Sequence, residues 1–201
     1  KKMNNLVWFR NDLRVNDNHS LLNATKNEGK TIGIYCFDPR HFNMTSYGFK
    51  KTEKFRAQFL IETVAELKEN LLKKNISLLI YFDTPENVFD KAIQEFHISN
   101  VYFQKEWTSE EIKVNKNLKN RFKNVNFIES FDQFLFHPED IPYQNIKDLP
   151  QVFTVFRKDC EKKVSVRETV FISSKTKDNR IENTAFLPTL EDLGLDNFQK
   201  N

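Results

Sequence analysis

With 201 residues, 39% of them hydrophobic and 13% aromatic, the chain is long enough to bury one large core, or one core with a tail. Its 31 basic and 28 acidic residues leave a net charge of +3, too near balance to mark a nucleic-acid surface. Two cysteines, Cys36 and Cys160, without CxxC spacing argue against a disulfide scaffold and a zinc site. No apolar run nears the ~18 residues of a membrane span, and Lys1-Lys2-Met3-Asn4 enters the first apolar run directly, leaving no room for a signal peptide. The expectation is a soluble, cytoplasmic protein.

Leu6-Val7-Trp8-Phe9 reads as a strand buried on both faces and turns abruptly polar at Arg10-Asn11-Asp12-Leu13-Arg14. Asp17 or Asn18 then caps a helix from about Asn18 to Asn27. In open α/β sheets ligands sit beyond the carboxyl ends of the strands, which puts Arg10, Asn11, Asp12 and Arg14 at a ligand-facing rim. No G-x-G-x-x-G follows the strand. Thr31–Phe37 is a second strand, ended by Asp38-Pro39-Arg40. Thr52–Lys74 is the strongest helix, with Phe55, Phe59, Leu60, Val64, Leu67 and Leu71 expected on one stripe. Ser77–Phe82 is a third strand, Pro85 opens the next helix, Val101–Gln104 is a fourth strand and Thr108 opens the helix after it. Val125–Phe131 supplies a fifth strand. Five alternations predict an α/β, Rossmann-like five-stranded parallel sheet with helices on both faces, followed by an extended interdomain linker.

Beyond Phe131 the pattern breaks into loop or edge elements, then a helix over Leu149–Lys162 with Val152, Val155 and Phe156 inward. Ile172–Arg180 has the composition of a mobile linker, and Pro188–Leu195 is a short amphipathic segment in need of a surface. The domain division expected is 1–165 and 166–201. The lysine-rich run from Lys113 to Lys123 reads as a solvated helix face, because no aromatics interleave. His19, His41, His97 and His137 are too scattered for a metal site.

Several segments in order resemble the photolyase/cryptochrome family, specifically its DASH branch. They are Trp8–Arg14 with Asp17-Asn18, Tyr35–Phe42, Tyr47–Thr52 with Phe55-Arg56, Asp148–Thr154 with Phe156-Arg157-Lys158, and Pro188–Gly194. One departure is Glu53, where DASH relatives usually carry Gly. The resemblance implies an amino-terminal antenna domain holding methenyltetrahydrofolate, with FAD and the lesion pocket for damaged DNA in a separate helical domain that would follow the linker. The expectation is therefore a fragment or single domain, or a naturally short protein, inactive by itself as a lyase and monomeric, whose partner is that helical domain.

In the family an acidic residue early in the helix after the fourth strand anchors the pterin, and Glu111, with Glu110 beside it, is the match. The residues by themselves read as a capping box, Thr108-x-x-Glu111, and the two roles compete. Phe37 and Asp38 end the second strand on the same rim, and Lys51 lies in the loop above. Phe37 is read either as a stacking ring or as ordinary core, and Lys51 either as a partner for the folate's glutamate tail or as a solvated charge. Trp8 is read as core, Asp12 as a support for its loop or for the interdomain contact, and Arg10 as paired with an acid, within this domain or across the domain boundary. The rival readings are a stand-alone nucleotide-binding α/β module, a non-repair blue-light photoreceptor domain, and a docking domain whose antenna site has decayed.

Overall fold

The computed structural model describes residues 3–173, 177–182 and 186–198. Strand and helix alternate as β1 (Asn4–Trp8), α1 (His19–Lys26), β2 (Thr31–Cys36), α2 (Lys54–Leu72), β3 (Leu78–Tyr81), α3 (Pro85–Glu95), β4 (Ile98–Gln104), α4 (Ser109–Arg121) and β5 (Asn126–Ser130), with α5 (Phe153–Lys163) after them. All pairs are parallel, in the order β3-β2-β1-β4-β5. The chain moves to one side of β1 through β2 and to the other through β4, so the loops leaving β1 and β4 diverge at their carboxyl ends.

The strands are near-continuous apolar runs because both faces of the sheet are covered. Val7, Phe9, Tyr35, Phe37, Leu78 and Ile80 pack with Leu21 and Ala24 of α1 and with Val64, Leu67 and Leu71 of α2. The alternate residues Leu6, Trp8, Ile32, Ile34, Val101 and Phe103 pack on the other face with Val88, Phe89 and Ala92 of α3 and Leu118 of α4. Asn18 caps α1 by accepting from Leu21 N at 2.9 Å, and Pro85 stands in the first turn of α3.

Three expectations are corrected. Phe55 and Phe59 are 73% and 70% exposed, and the buried arc of α2 is Ala57, Val64, Leu67 and Leu71. At about 100° per residue Phe55 lies roughly half a turn from Val64, so the two never shared a stripe. Val152, at the amino-terminal cap of α5, and Val155 within it are exposed and Cys160 is the fully buried residue, while Phe156 stacks on Tyr143 at 5.8 Å. Of the stretch read as a mobile linker, residues 174–176 lie outside the described residues. Ile172 is part of the core, and Asn179 is fully buried. The amphipathic segment finds its surface, with Leu190, Leu193 and Leu195 packed into the α1/α2 face of the core.

The amino end of the sheet is closed by amides. Asn5, Asn100 and Asn126 are in register across β1, β4 and β5. Asn126 donates to Asn100 at 3.0 Å, Asn100 to Asn5 at 3.0 Å, and Asn5 to the Glu28 carbonyl at 2.8 Å. Each amide can donate and accept at once, so the row satisfies itself. On the far side of β1, Asn179 Oδ1 accepts from the buried Thr31 N at 2.9 Å, and its own backbone N–H bonds to the Asn75 carbonyl at 3.0 Å. Asn179→Ala should strand the Thr31 N–H and cost about 1–3 kcal/mol in denaturant unfolding. A change within error would mean that this segment does not hold the sheet.

Candidate functional site

The loop leaving β1 is held from within. Asp12, 1% exposed, accepts from Arg10 N at 3.0 Å and from Asn18 Nδ2 at 3.1 Å, which frees the neighbouring side chains for the rim. Burial raises the Asp12 pKa against these hydrogen bonds. Arg10 lies over the Trp8 ring, 4.4 Å from its centroid, and donates through Nη1 to Asn115 Oδ1 at 2.8 Å. Among the described residues the side chain that Arg10 hydrogen-bonds is this amide on α4 rather than an acid of the same domain. Burial lowers its pKa, opposed by the nearby charges of Glu106 and Glu111.

At the end of β4 the chain supplies Gln104 and Glu106, which are 1% and 2% exposed. Asn11 Nδ2 donates to Glu106 Oε1 at 3.0 Å and to Glu111 Oε1 at 3.1 Å, so one amide joins two carboxylates from different segments. Gln133 donates to Glu106 Oε2 at 2.6 Å, and Gln104 Nε2 reaches Glu106 Oε1 at 3.4 Å. The Gln104 carbonyl oxygen is buried with no hydrogen-bond donor among the described residues. Burial, and then the charge of Glu111, raise the pKa of Glu106. Glu111 also closes the cap of α4, its Oε2 accepting from Thr108 Oγ1 at 2.7 Å. The capping and rim roles therefore fall to different oxygens of one carboxylate.

The loop after β5 is fixed to the same rim. Asp132 accepts from His19 N at 2.8 Å at the start of α1, and its other oxygen lies 2.5 Å from His19 Nδ1. Arg14 binds the Asp132 carbonyl at 3.0 Å. These contacts hold the residue that precedes Gln133. Beside them Trp107, 46% exposed, packs on Phe131 and Phe134 with Lys105 over its ring. A cleft of about 330 Å³ opens along α4 between Lys105, Glu106, Ile112, Asn115 and Lys116. That volume lies in the range of small-molecule sites.

The predicted residues are not all brought together. Glu111 lies in the cluster, and Glu110 is next to it but turned to Lys51, with which it forms an ion pair. Hydrogen bonding to Lys51 lowers the Glu110 pKa. Asp38 is buried, caps a short 3-10 turn (Pro39–His41) and binds Arg40, which also reaches Glu86 at 3.1 Å. Burial would raise the Asp38 pKa, but the Arg40 contacts outweigh it and hold the carboxyl below its ordinary value. Phe37 is 1% exposed, enclosed by Tyr35 and Phe42, and offers no open ring face. Sequence reasoning missed Glu106, Gln104, Asn115 and Gln133 as site residues and the bridging role of Asn11. The usable signal was polar residues at the carboxyl ends of two strands on either side of a reversal in strand order. Among the described residues no cluster of His, Cys, Asp and Glu could hold a metal ion, and no helix is long and apolar enough to cross a membrane.

The DNA photolyase family model matches residues 5–175. A cryptochrome DASH from Gloeobacter violaceus is 37% identical over 193 residues, covering 95% of this chain and 38% of its own. The crystal structure of the Synechocystis sp. PCC6803 cryptochrome has a TM-score of 0.85 at 37% identity, over 99% of this chain and 42% of that one. An archaeal photolyase from Sulfolobus tokodaii, solved with two FAD molecules, shares the fold with a TM-score of 0.71 at 22% identity, over 94% of this chain and 45% of that one. The chain spans about two-fifths of the length of these relatives.

Because the folded chain favours the protonated form of Glu106, this group stabilises most below the ordinary value of 4.5 and loses that contribution as pH rises through its raised pKa. Glu106→Gln removes the ionisation and keeps one acceptor oxygen. Denaturant unfolding of both proteins from about pH 4 to pH 7 should show the difference in stability moving toward the variant as pH rises. A constant difference would mean that Glu106 titrates normally.

Proposed function

We propose that this chain, which belongs to the DNA photolyase family, is the light-harvesting antenna domain of a DASH-type cryptochrome or photolyase, with methenyltetrahydrofolate as its pigment. Residues 1–165 hold the pigment. Residues 166–201 lead toward a FAD-binding helical domain of the longer protein, which uses the captured photon to split cyclobutane pyrimidine dimers, in single-stranded DNA. The observation that carries this reading is the pair of carboxylates, Glu106 and Glu111, tied by Asn11 at the divergence of β1 and β4.

A pterin edge offers an amino group and a ring N–H side by side, and a carboxylate accepts such a pair. Glu111 is the anchor in this reading. The unpartnered Gln104 carbonyl supports it as a further acceptor, and Arg10 as a donor toward a ring carbonyl. Phe37 and Asp38 support the rim from inside the core, and the Glu110–Lys51 ion pair stands next to Glu111 on the surface. When bound, the pigment absorbs light and passes excitation energy to the flavin without bond-making. The residues of this chain have only to hold a flat ring rigidly, fix its direction and keep water away.

Glu111→Gln retains the capping box, since Gln closes it as Glu does, but removes the charge. The variant should lose pigment affinity about tenfold or more while its unfolding stability changes by less than ~1 kcal/mol. Absorbance titration with methenyltetrahydrofolate reads the first and denaturant melts the second. Equal pigment retention would remove Glu111 from the site, and a thermal shift with ATP but none with the folate would favour a nucleotide-binding module.

A further inference from the structure

One face of α2 carries large rings in the open. Phe55 and Phe59, four residues apart and so neighbours on the helix surface, are 73% and 70% exposed. Phe198 packs on Phe55 with ring centroids 5.1 Å apart and is itself 40% exposed. Lys54 stands over both of these rings, 5.7 Å and 5.1 Å from their centroids. A contiguous aromatic patch on a charged surface marks a contact. The charges around it are segregated. Lys54 and Arg56 flank the rings at the amino end, and the exposed acids Glu62, Glu66 and Glu69 follow along the helix. The first turn of α2 has no acid and its last turn no base, so this order opposes the helix dipole. A helix by itself gains nothing from such an order.

We propose that this face is the interface of a two-fold dimer, in which α2 of one copy lies antiparallel on α2 of a second copy of the chain. The Phe55 and Phe59 rings of both copies meet near the axis. The reversal of direction sets the basic amino end of each helix against the acidic stretch of the other, and it opposes the two helix dipoles. A two-fold contact has to be self-complementary, and a face with one end of each sign meets that condition. A polyanion or an anionic membrane would be repelled by the three glutamates, and a cationic partner by Lys54 and Arg56. None of these residues belongs to the rim cluster, so the dimer is independent of the pigment reading. The chain then pairs with itself, in place of the expected monomer.

Charge reversal tests the pairing. Sedimentation of the wild-type chain over a roughly hundredfold range of concentration should show monomer passing to dimer. Lys54→Glu with Arg56→Glu makes the face acidic from end to end, and Glu62→Lys with Glu66→Lys makes it basic, with melting curves to establish that each double variant is folded. Either one alone should dimerise about tenfold more weakly than the wild type, through repulsion between like faces. An equimolar mixture of the two should recover the dimer, since each end then meets its opposite. Phe59→Ser should weaken the dimer by about as much, through loss of the ring contact. A wild-type chain that stays monomeric throughout would overturn this inference and return the face to another occupant, such as the helical domain of a longer protein. Double variants that dimerise as well as the wild type, or a mixture that recovers no dimer, would overturn it equally.

Discussion

Asn11 Nδ2 carries two hydrogens, and each meets a carboxylate from a part of the chain about a hundred residues away. That arrangement settles most of the site's electrostatics. Burial, and then the charge of Glu111 beside it, raise the pKa of Glu106. Arg10 stands close enough to both acids to feel their charge, yet its donated hydrogen bond goes to Asn115. A cation and two acids that are near but not locked into ion pairs keep hydrogen-bonding capacity for something else. A saturated salt bridge would not.

The two ends of the sheet solve the same problem in opposite ways. Strand ends leave backbone and side-chain polar groups that burial would penalise. At the amino end the Asn5–Asn100–Asn126 row satisfies its members internally, and Asn179 supplies an acceptor to Thr31. At the carboxyl end the polar groups are only partly matched, and Gln104 keeps a buried carbonyl oxygen without a donor among the described residues. Tight closure at one end and incomplete closure at the other is the pattern expected where one end holds the fold together and the other meets a ligand. The Leu190, Leu193 and Leu195 side chains extend the core under α1 and α2, so residues well beyond β5 contribute to the rigidity of the rim.

Capping shows how economically the rim is made. Glu111 closes the amino terminus of α4 with one oxygen and meets Asn11 with the other. Thr108-x-x-Glu111 is visible in the sequence as a cap, and nothing local distinguishes a cap that also serves a site. The same holds for Asp38, a strand-end acid that becomes a 3-10 cap and the partner of Arg40. Exposed and saturated acids look alike until their neighbours are known.

What the sequence determined by itself was whatever depends on neighbours along the chain. Runs of apolar residues, period-two burial and cap residues such as Asn18, Pro85 and Thr108 put five strands and their helices in place to within a few residues. The quoted motifs carried the family. Where local periodicity was read loosely, as with Phe55 and Phe59, geometry corrected it. Only the tertiary structure decided that β4 lies beside β1, that Asn11 therefore reaches Glu106 and Glu111, and that Lys51 meets Glu110. Those pairings depend on strand order and on loops crossing the rim. A side chain's sequence neighbours say nothing about which distant group will share its few cubic ångströms.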